Sequence, residues 1–256
     1  MQALTSAGTG FKDHFSGHAR SYAAHRPRYP ESLFAWLASV CPGHDVAWDC
    51  ATGNGQAAHS LTDYFSSVLA TDASEEQIAS AERHPKIRFR VAAAEESGID
   101  AGSVDLITVA QALHWFDIDR FFAEAIRVLK TGGILAVWSY ERCTVSPECD
   151  KVIQKVFAET DDYWPPERKL VDNRYRDIEM PLPEVESDPF DMRLDWTADE
   201  LSNYMRTWSG AQRYLKTTGR DAVGLFEPEL RKVWGDRRRE VCWPLTLKVG
   251  QKRHGA

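Results

Sequence analysis

Long apolar runs are missing from this chain. The longest, such as Gly133 to Trp138, are far too short to cross a bilayer. The N-terminal residues lack the apolar core of a secretory signal, so a cytoplasmic protein is expected. Cysteine is scarce and odd in number: Cys41, Cys50, Cys143, Cys149 and Cys242 are scattered. Cys143 and Cys149 lie six apart with no matching pair of ligands, so free thiols and no metal site are expected. Positive charge is in deficit. The net charge of −7 argues against general nucleic-acid binding, and Arg237-Arg238-Arg239, bracketed by Asp236 and Glu240, reads as a solvated loop face. Repeats and low-complexity tracts are absent as well. What remains is the composition of an ordinary globular protein, 43% hydrophobic and 27% charged, long enough for one large, elaborated domain.

The most informative stretch is Val46-Ala47-Trp48-Asp49-Cys50-Ala51-Thr52-Gly53-Asn54-Gly55-Gln56, followed by Ser67-Val68-Leu69-Ala70-Thr71-Asp72. An apolar strand ends near an acid, runs into a glycine-rich turn and opens a helix. A second strand then delivers Asp72 at its carboxyl end. That pattern builds a nucleoside site: glycines let the backbone approach a ligand, the helix start offers free N–H groups, and the carboxylate accepts from a ribose diol. Two ligands compete for it. Gly53-x-Gly55-x-x-Ala58 formally satisfies the dinucleotide fingerprint, which implies a nicotinamide-dependent oxidoreductase. Asp49 speaks for S-adenosylmethionine, because a carboxylate there repels a pyrophosphate and suits a ligand bearing an ammonium and a sulfonium.

Helices are expected at 30–41, 55–65, 75–84 and 119–129. Strands are expected at 45–50, 67–72, 87–92, 104–109 and 134–139. This alternation means an α/β, Rossmann-like, doubly wound and mostly parallel sheet, with the ligand at the carboxyl ends of the first, second and fourth strands. Beyond 140 the pattern changes to a helix at 146–160, an irregular stretch at 161–189, a strand at 191–196, helices at 198–215 and 221–235, and a last strand at 240–249. Two terminal strands complete a seven-stranded sheet with an antiparallel edge, and the helices between them form a C-terminal cap. The divisions are an N-terminal lid segment (1–30), a cofactor-binding core (31–140), and cap helices plus terminal strands (141–256).

The chain resembles the class I S-adenosylmethionine-dependent methyltransferases, specifically the small-molecule type 11 group that includes fungal trans-aconitate methyltransferases. Four blocks carry the resemblance. They are the Asp49–Gln56 loop, Gln111-Ala112-Leu113-His114-Trp115-Phe116-Asp117, Leu129-Lys130-Thr131-Gly132-Gly133, and Tyr204-Met205-Arg206-Thr207-Trp208-Ser209. Tyr22…Arg26-Pro27-Arg28-Tyr29-Pro30 and Trp243…Gly250 also fit. The family's first loop glycine is Ala51 here, and an alanine at that point is expected to hold φ below zero. The resemblance implies that Ala51, Gly53 and Gly55 line the methionine portion of the cofactor. Asp72 would hold the ribose, with Ala73 beside the adenine and Ala94 and Glu95 bordering its edge. Ala110 and Gln111 would meet the amino-acid end, and His114 and Trp115 would sit near the departing methyl group as catalytic residues.

Tyr22 and Arg26, in a segment rich in Gly, His, Arg and aromatics, have the chemistry to contact the cofactor's carboxylate and ring. For the acceptor, the candidates are Trp164, Tyr175, Arg206, Trp208 and Ser209. The apolar face of helix 198–215 must bury itself at the mouth of the sheet. The cap is also rich in arginine (Arg168, Arg174, Arg176, Arg206, Arg213), the usual partner of a carboxylate. The resemblance to trans-aconitate enzymes implies a small organic acid as the acceptor, methylated on a carboxylate oxygen.

Overall fold

The structure, a computed structural model, describes residues 27–253. Seven strands form one sheet: β1 (Val46–Cys50), β2 (Ser67–Asp72), β3 (Ile87–Val91), β4 (Val104–Ala110), β5 (Leu129–Tyr140), β6 (Asp191–Trp196) and β7 (Arg239–Gln251). Their spatial order is β3-β2-β1-β4-β5-β7-β6. The first five pair in parallel, and β7 then runs antiparallel to both β5 and β6. This is the expected sheet with its antiparallel edge. The order reverses at β1, so the crevice between the carboxyl ends of β1 and β4 is where a ligand belongs.

Period-two alternation puts successive residues on opposite faces, and both faces are buried. Leu106, Ile134, Ala136 and Trp138 meet α1 (Glu31–Val40) and α2 (Gln56–Leu61) through Phe34, Leu37, Ala58 and Leu61. On the other face Trp48, Ile107, Val109 and Val137 meet α4 (Ile118–Val128) through Phe121, Phe122 and Ala125. The short α3 (Glu75–Ser80) is capped by the Ser74 hydroxyl, which accepts from Gln77 N. At the amino end of the sheet Asp105 accepts from the N–H of Asp45 and Val46 and from Lys130 Nζ at 2.9–3.0 Å, tying β4 to the entries of β1 and β5.

A third core belongs to the cap. It gathers α5 (Pro147–Glu159), α7 (Ala198–Arg206), α8 (Ser209–Thr218) and α9 (Ala222–Trp234) against Trp196, Val241 and Trp243 of the antiparallel edge. A one-turn α6 (Arg168–Asp172) interrupts the irregular stretch. The expected single helix at 198–215 is two. Thr207 N bonds back to Tyr204 O, Trp208 leaves the helical conformation (ψ 137°), and its N–H is held by Met205 O. The chain turns there so that α7 can pack on the sheet edge while α8 packs beside Tyr163. Helix 75–84 is also shorter than expected, because Ala81 is already extended (ψ 136°). Among the described residues no helix is long and apolar enough to cross a membrane.

Candidate active site

The loop after β1 is a main-chain cradle. Gly53 and Gly55 hold φ of +57° and +92°, and a Cβ on Gly55 would lie 2.9 Å from the Phe89 ring, so only glycine fits. Among the described residues a Cβ on Gly53 would meet nothing nearer than Gln77 at 3.9 Å, an ordinary contact distance. Ala51 corrects the sequence reading: its φ is +54°, in the left-handed region. Thr52 N must reach Thr71 O at 2.9 Å, and the chain has only the residues up to Gly55 in which to reverse, so Ala51 turns despite its Cβ.

Two carboxylates flank this cradle. Asp49 is 1% exposed, accepting from Thr52 Oγ1 at 2.5 Å and Thr108 Oγ1 at 2.8 Å. Burial pushes its pKa up to about 6, against those two hydroxyl bonds, with Asp72 adding a smaller repulsion. Asp72 ends β2, half-buried, with Oδ2 accepting from Gly53 N and Oδ1 from Ser74 N, both at 2.9 Å. Ala73 follows half-buried and Ala94 is buried, while Glu95 accepts from Asp117 N at 2.9 Å and so braces the start of α4. An acidic, glycine-walled crevice fits a cationic nucleoside and disfavours a pyrophosphate.

After β4 the chain again takes a left-handed step, at Gln111 (φ +58°). The Gln111 side-chain amide donates to Tyr140 O and accepts from Tyr140 N, both at 2.9 Å, extending the β4–β5 ladder with a side chain. Ala110 lies half-buried just before it. The clasp carries the short turn of Leu113–Trp115 over the sheet end.

Beside that turn opens a cleft that faces solvent. Its walls include His114, Trp115, Trp164, Trp208 and Ser209, five candidates drawn from three distant parts of the chain. Phe157 and Trp164 stack with centroids 5.1 Å apart. Gly210 underlies Trp164 so closely that a Cβ would be 2.6 Å from the indole. The cleft also contains two arginines: Arg142 lies 4.3 Å over the Phe157 ring, and Arg168 lies 4.6 Å over Trp164. Arg142 also donates to Gln154, and Arg168 to Asp172 at 3.0 Å.

Two candidates are placed elsewhere. Arg206 is turned away and ion-paired to Asp221 and Glu227, because the helix break at Thr207 points it at α9. Tyr175 lies fully buried beneath the cleft with its hydroxyl 2.9 Å from His114 Nδ1. Burial, with the positive charge of Arg168, holds the His114 conjugate acid down at about 3. Tyr22 and Arg26, and the lid reading of segment 1–30 with them, fall outside the described residues except for 27–30. There Pro27 O accepts from Gln56, and Tyr29 packs edge-on against Trp138. Arg142 and Phe157 line the cleft without being among the residues expected there from the sequence. Arg142 stands just beyond the carboxyl end of a central strand, which is the signal that could have found it.

The comparisons agree with this geometry. A family model described as a methyltransferase domain matches residues 48–137, which is β1 through most of β5. A Dictyostelium discoideum protein assigned as a methyltransferase is 34% identical over 95% of this chain and 97% of its own length. A Saccharomyces cerevisiae protein assigned as an S-adenosylmethionine-dependent methyltransferase is 25% identical over 89% of each. Among solved structures, one from Anaeromyxobacter dehalogenans assigned as a type II methyltransferase matches with a TM-score of 0.84 at 40% identity, covering 89% of this chain and 98% of that one. The oxidoreductase alternative finds no support among these relatives.

Proposed function

Because this chain belongs to the class I S-adenosylmethionine-dependent methyltransferases, we propose that it methylates a carboxylate oxygen of a small organic acid held in the cap cleft. The observation that carries the reading is the pairing, in one cleft, of two arginines with a histidine that is a poor base. A phenol or an amine acceptor benefits from a base. A carboxylate is ionised at neutral pH and needs none.

S-adenosylmethionine supplies, when bound, a methyl carbon made electrophilic by its sulfonium. The residues of this chain then position, shield and select. In this reading the backbone of Ala51, Gly53 and Gly55 lines the methionine portion, and the charge of Asp49 beneath it favours the ammonium. Asp72, a carboxylate at the end of β2, accepts from the ribose hydroxyls. Ala73, Ala94 and Glu95 border the adenine, while Ala110 and Gln111 border the amino-acid end. On the acceptor side, Arg142 and Arg168 offer planar N–H donors to the acid. Trp115, Trp164 and Trp208 wall the cleft and exclude water, and Ser209 adds a hydroxyl at its rim. His114, next to the sheet end, steers the acceptor oxygen. An in-line displacement asks little more than this, since placing the oxygen about 3 Å from the methyl carbon supplies much of the rate.

The test is a screen of small acids, phenols and amines for methyl acceptance, read by mass. The resemblance makes trans-aconitate the first acid to try. An alkali-labile methyl ester is the expected product. Preferred methylation of phenols or amines overturns the carboxylate assignment.

A further inference from the structure

His114 and Tyr175 lie 61 residues apart in the chain, yet the phenol oxygen lies 2.9 Å from Nδ1. Tyr175 is fully buried, and His114 nearly so. The chain adopts an unfavourable backbone to bring them together. Arg174 and Tyr175 both occupy the left-handed region, with φ of +56° and +51°, which residues with a Cβ avoid. Hydrogen bonds from Arg174 N to Val171 O and from Tyr175 N to Leu170 O hold the turn. The Arg174 guanidinium is tied to Glu141 on the cleft wall. Two strained residues in succession, where a phenol meets a histidine, point to a function for the contact.

The pair can share its proton in two ways. The phenol donates to Nδ1 and the imidazole carries its own proton on Nε2, or Nδ1–H donates to the phenol oxygen and Nε2 is left bare. A phenol is a far stronger acid than a neutral imidazole N–H, and the bare imidazole nitrogen is the better acceptor. The first arrangement therefore wins. Both groups stay neutral there, since burial opposes the imidazolium and equally the phenolate. With Nδ1 turned inward to Tyr175, Nε2 is the ring nitrogen left for the cleft that His114 lines.

We infer that Tyr175 is a positioning residue whose hydroxyl fixes His114 in the Nε2–H tautomer, so that His114 presents a hydrogen-bond donor to the methyl acceptor instead of a base. The inference rests on the acceptor reading of the cleft given above. A donor at this point holds one oxygen of a carboxylate and leaves the other free to attack. It does nothing for a phenol or an amine that must first lose a proton, so acceptor class is set partly by a residue that never touches the acceptor.

The test is nitrogen NMR on the full chain carrying ring-labelled histidine, with the His114 signals identified by their loss in His114→Gln. The wild type is expected to show a protonated Nε2 and an unprotonated, hydrogen-bonded Nδ1. In Tyr175→Phe, which keeps the ring and removes the hydroxyl, the two tautomers are expected to mix. A proton on Nδ1 in the wild type overturns the inference, and so does a Tyr175→Phe spectrum with the Nε2–H tautomer still complete. If Tyr175→Phe does not fold by circular dichroism, the wild type decides alone. A hydroxyl proton coupled through the bond to Nδ1 supports the inference, and a proton on Nδ1 refutes it. No acceptor is present in this experiment, so a failed acceptor screen and a wrong tautomer are told apart.

Discussion

The two sides of the site are made of different material. On the proposed cofactor side the surface is mostly main chain: the turn at Ala51–Gly55, the end of β2 and the start of the next helix, within residues 49–75, with residues 94–95 and 110–111 at its edges. On the acceptor side it is mostly side chain, gathered from residues 111–115, 140–142, 157–168 and 204–209. Electrostatics divide the same way. Burial opposes charge on both sides, yet it leaves Asp49 able to ionise near pH 6 while His114 stays neutral down to about 3. The cofactor side thus keeps a negative charge, and the acceptor side keeps arginines and a neutral imidazole.

If the two sides are separable, matched glycine substitutions should injure one each. Gly55→Ala places a Cβ 2.9 Å from Phe89 at φ +92°. It should cost about 2–3 kcal/mol of stability and weaken cofactor binding at least about tenfold. Gly210→Ala drives a Cβ into Trp164. It should lower kcat/KM for the acid by about tenfold or more, through a strain of about 1–3 kcal/mol, while leaving cofactor affinity within about twofold. Calorimetry and steady-state kinetics on both variants check this. Equal injury to both ligands in either variant breaks the comparison.

The buried charge of Asp49 gives a pH signature. Its pKa rises from the ordinary 3.8 to about 6 on folding, so between those values the native state keeps a proton that the unfolded chain has already lost. The stabilising contribution is therefore complete below about pH 4 and is lost as pH rises through about 6. Asp49→Asn lacks that slope. Relative to wild type it should gain about 2–3 kcal/mol between pH 4 and pH 8, measured by denaturant unfolding without cofactor. A flat difference would show that Asp49 is better solvated than its burial implies.

A second matched pair sharpens the contrast through binding. Asp72→Ala removes a charged acceptor and should weaken S-adenosylmethionine by roughly 1.5–3 kcal/mol, or about tenfold to a hundredfold. Arg168→Gln should raise KM for the acid by a similar factor and leave the cofactor dissociation constant unchanged. Titration of each variant with each ligand distinguishes the four cases.

These asymmetries explain what could be read from sequence. The core strands, the Ser74 cap and the mostly parallel sheet with its antiparallel edge follow from periodicity and capping, which are local. So does the cradle, since Asp49, Gly53, Gly55 and Asp72 sit at fixed places in one strand-turn-helix-strand unit. The cap is different. Arg206 lies outside the cleft because a break at Thr207, fixed by how α7 and α8 pack, turns its side chain toward Asp221. Tyr175 went beneath the cleft because a left-handed turn at two non-glycine residues leaves no mark in composition. Ala51 failed on the cofactor side for the same reason, since its conformation is imposed by the Thr52–Thr71 hydrogen bond. That residue gives the smallest expected effect. Ala51→Gly should stabilise the protein by no more than about 1 kcal/mol, seen as a small rise in Tm, with the loop's ligand affinity unchanged or slightly better.

A crystal structure with S-adenosylhomocysteine and a small dicarboxylic acid tests the central division most directly. The account predicts ribose hydroxyls on Asp72, the sulfur between the Gly53 turn and His114, and a carboxylate of the acid on Arg142 or Arg168. Trp208 should lie within about 10 Å of the sulfur, near enough for one acceptor to bridge them. An acid bound against other segments, with the space beside the sulfur lined by residues outside the cleft and Trp208 beyond that distance, contradicts it.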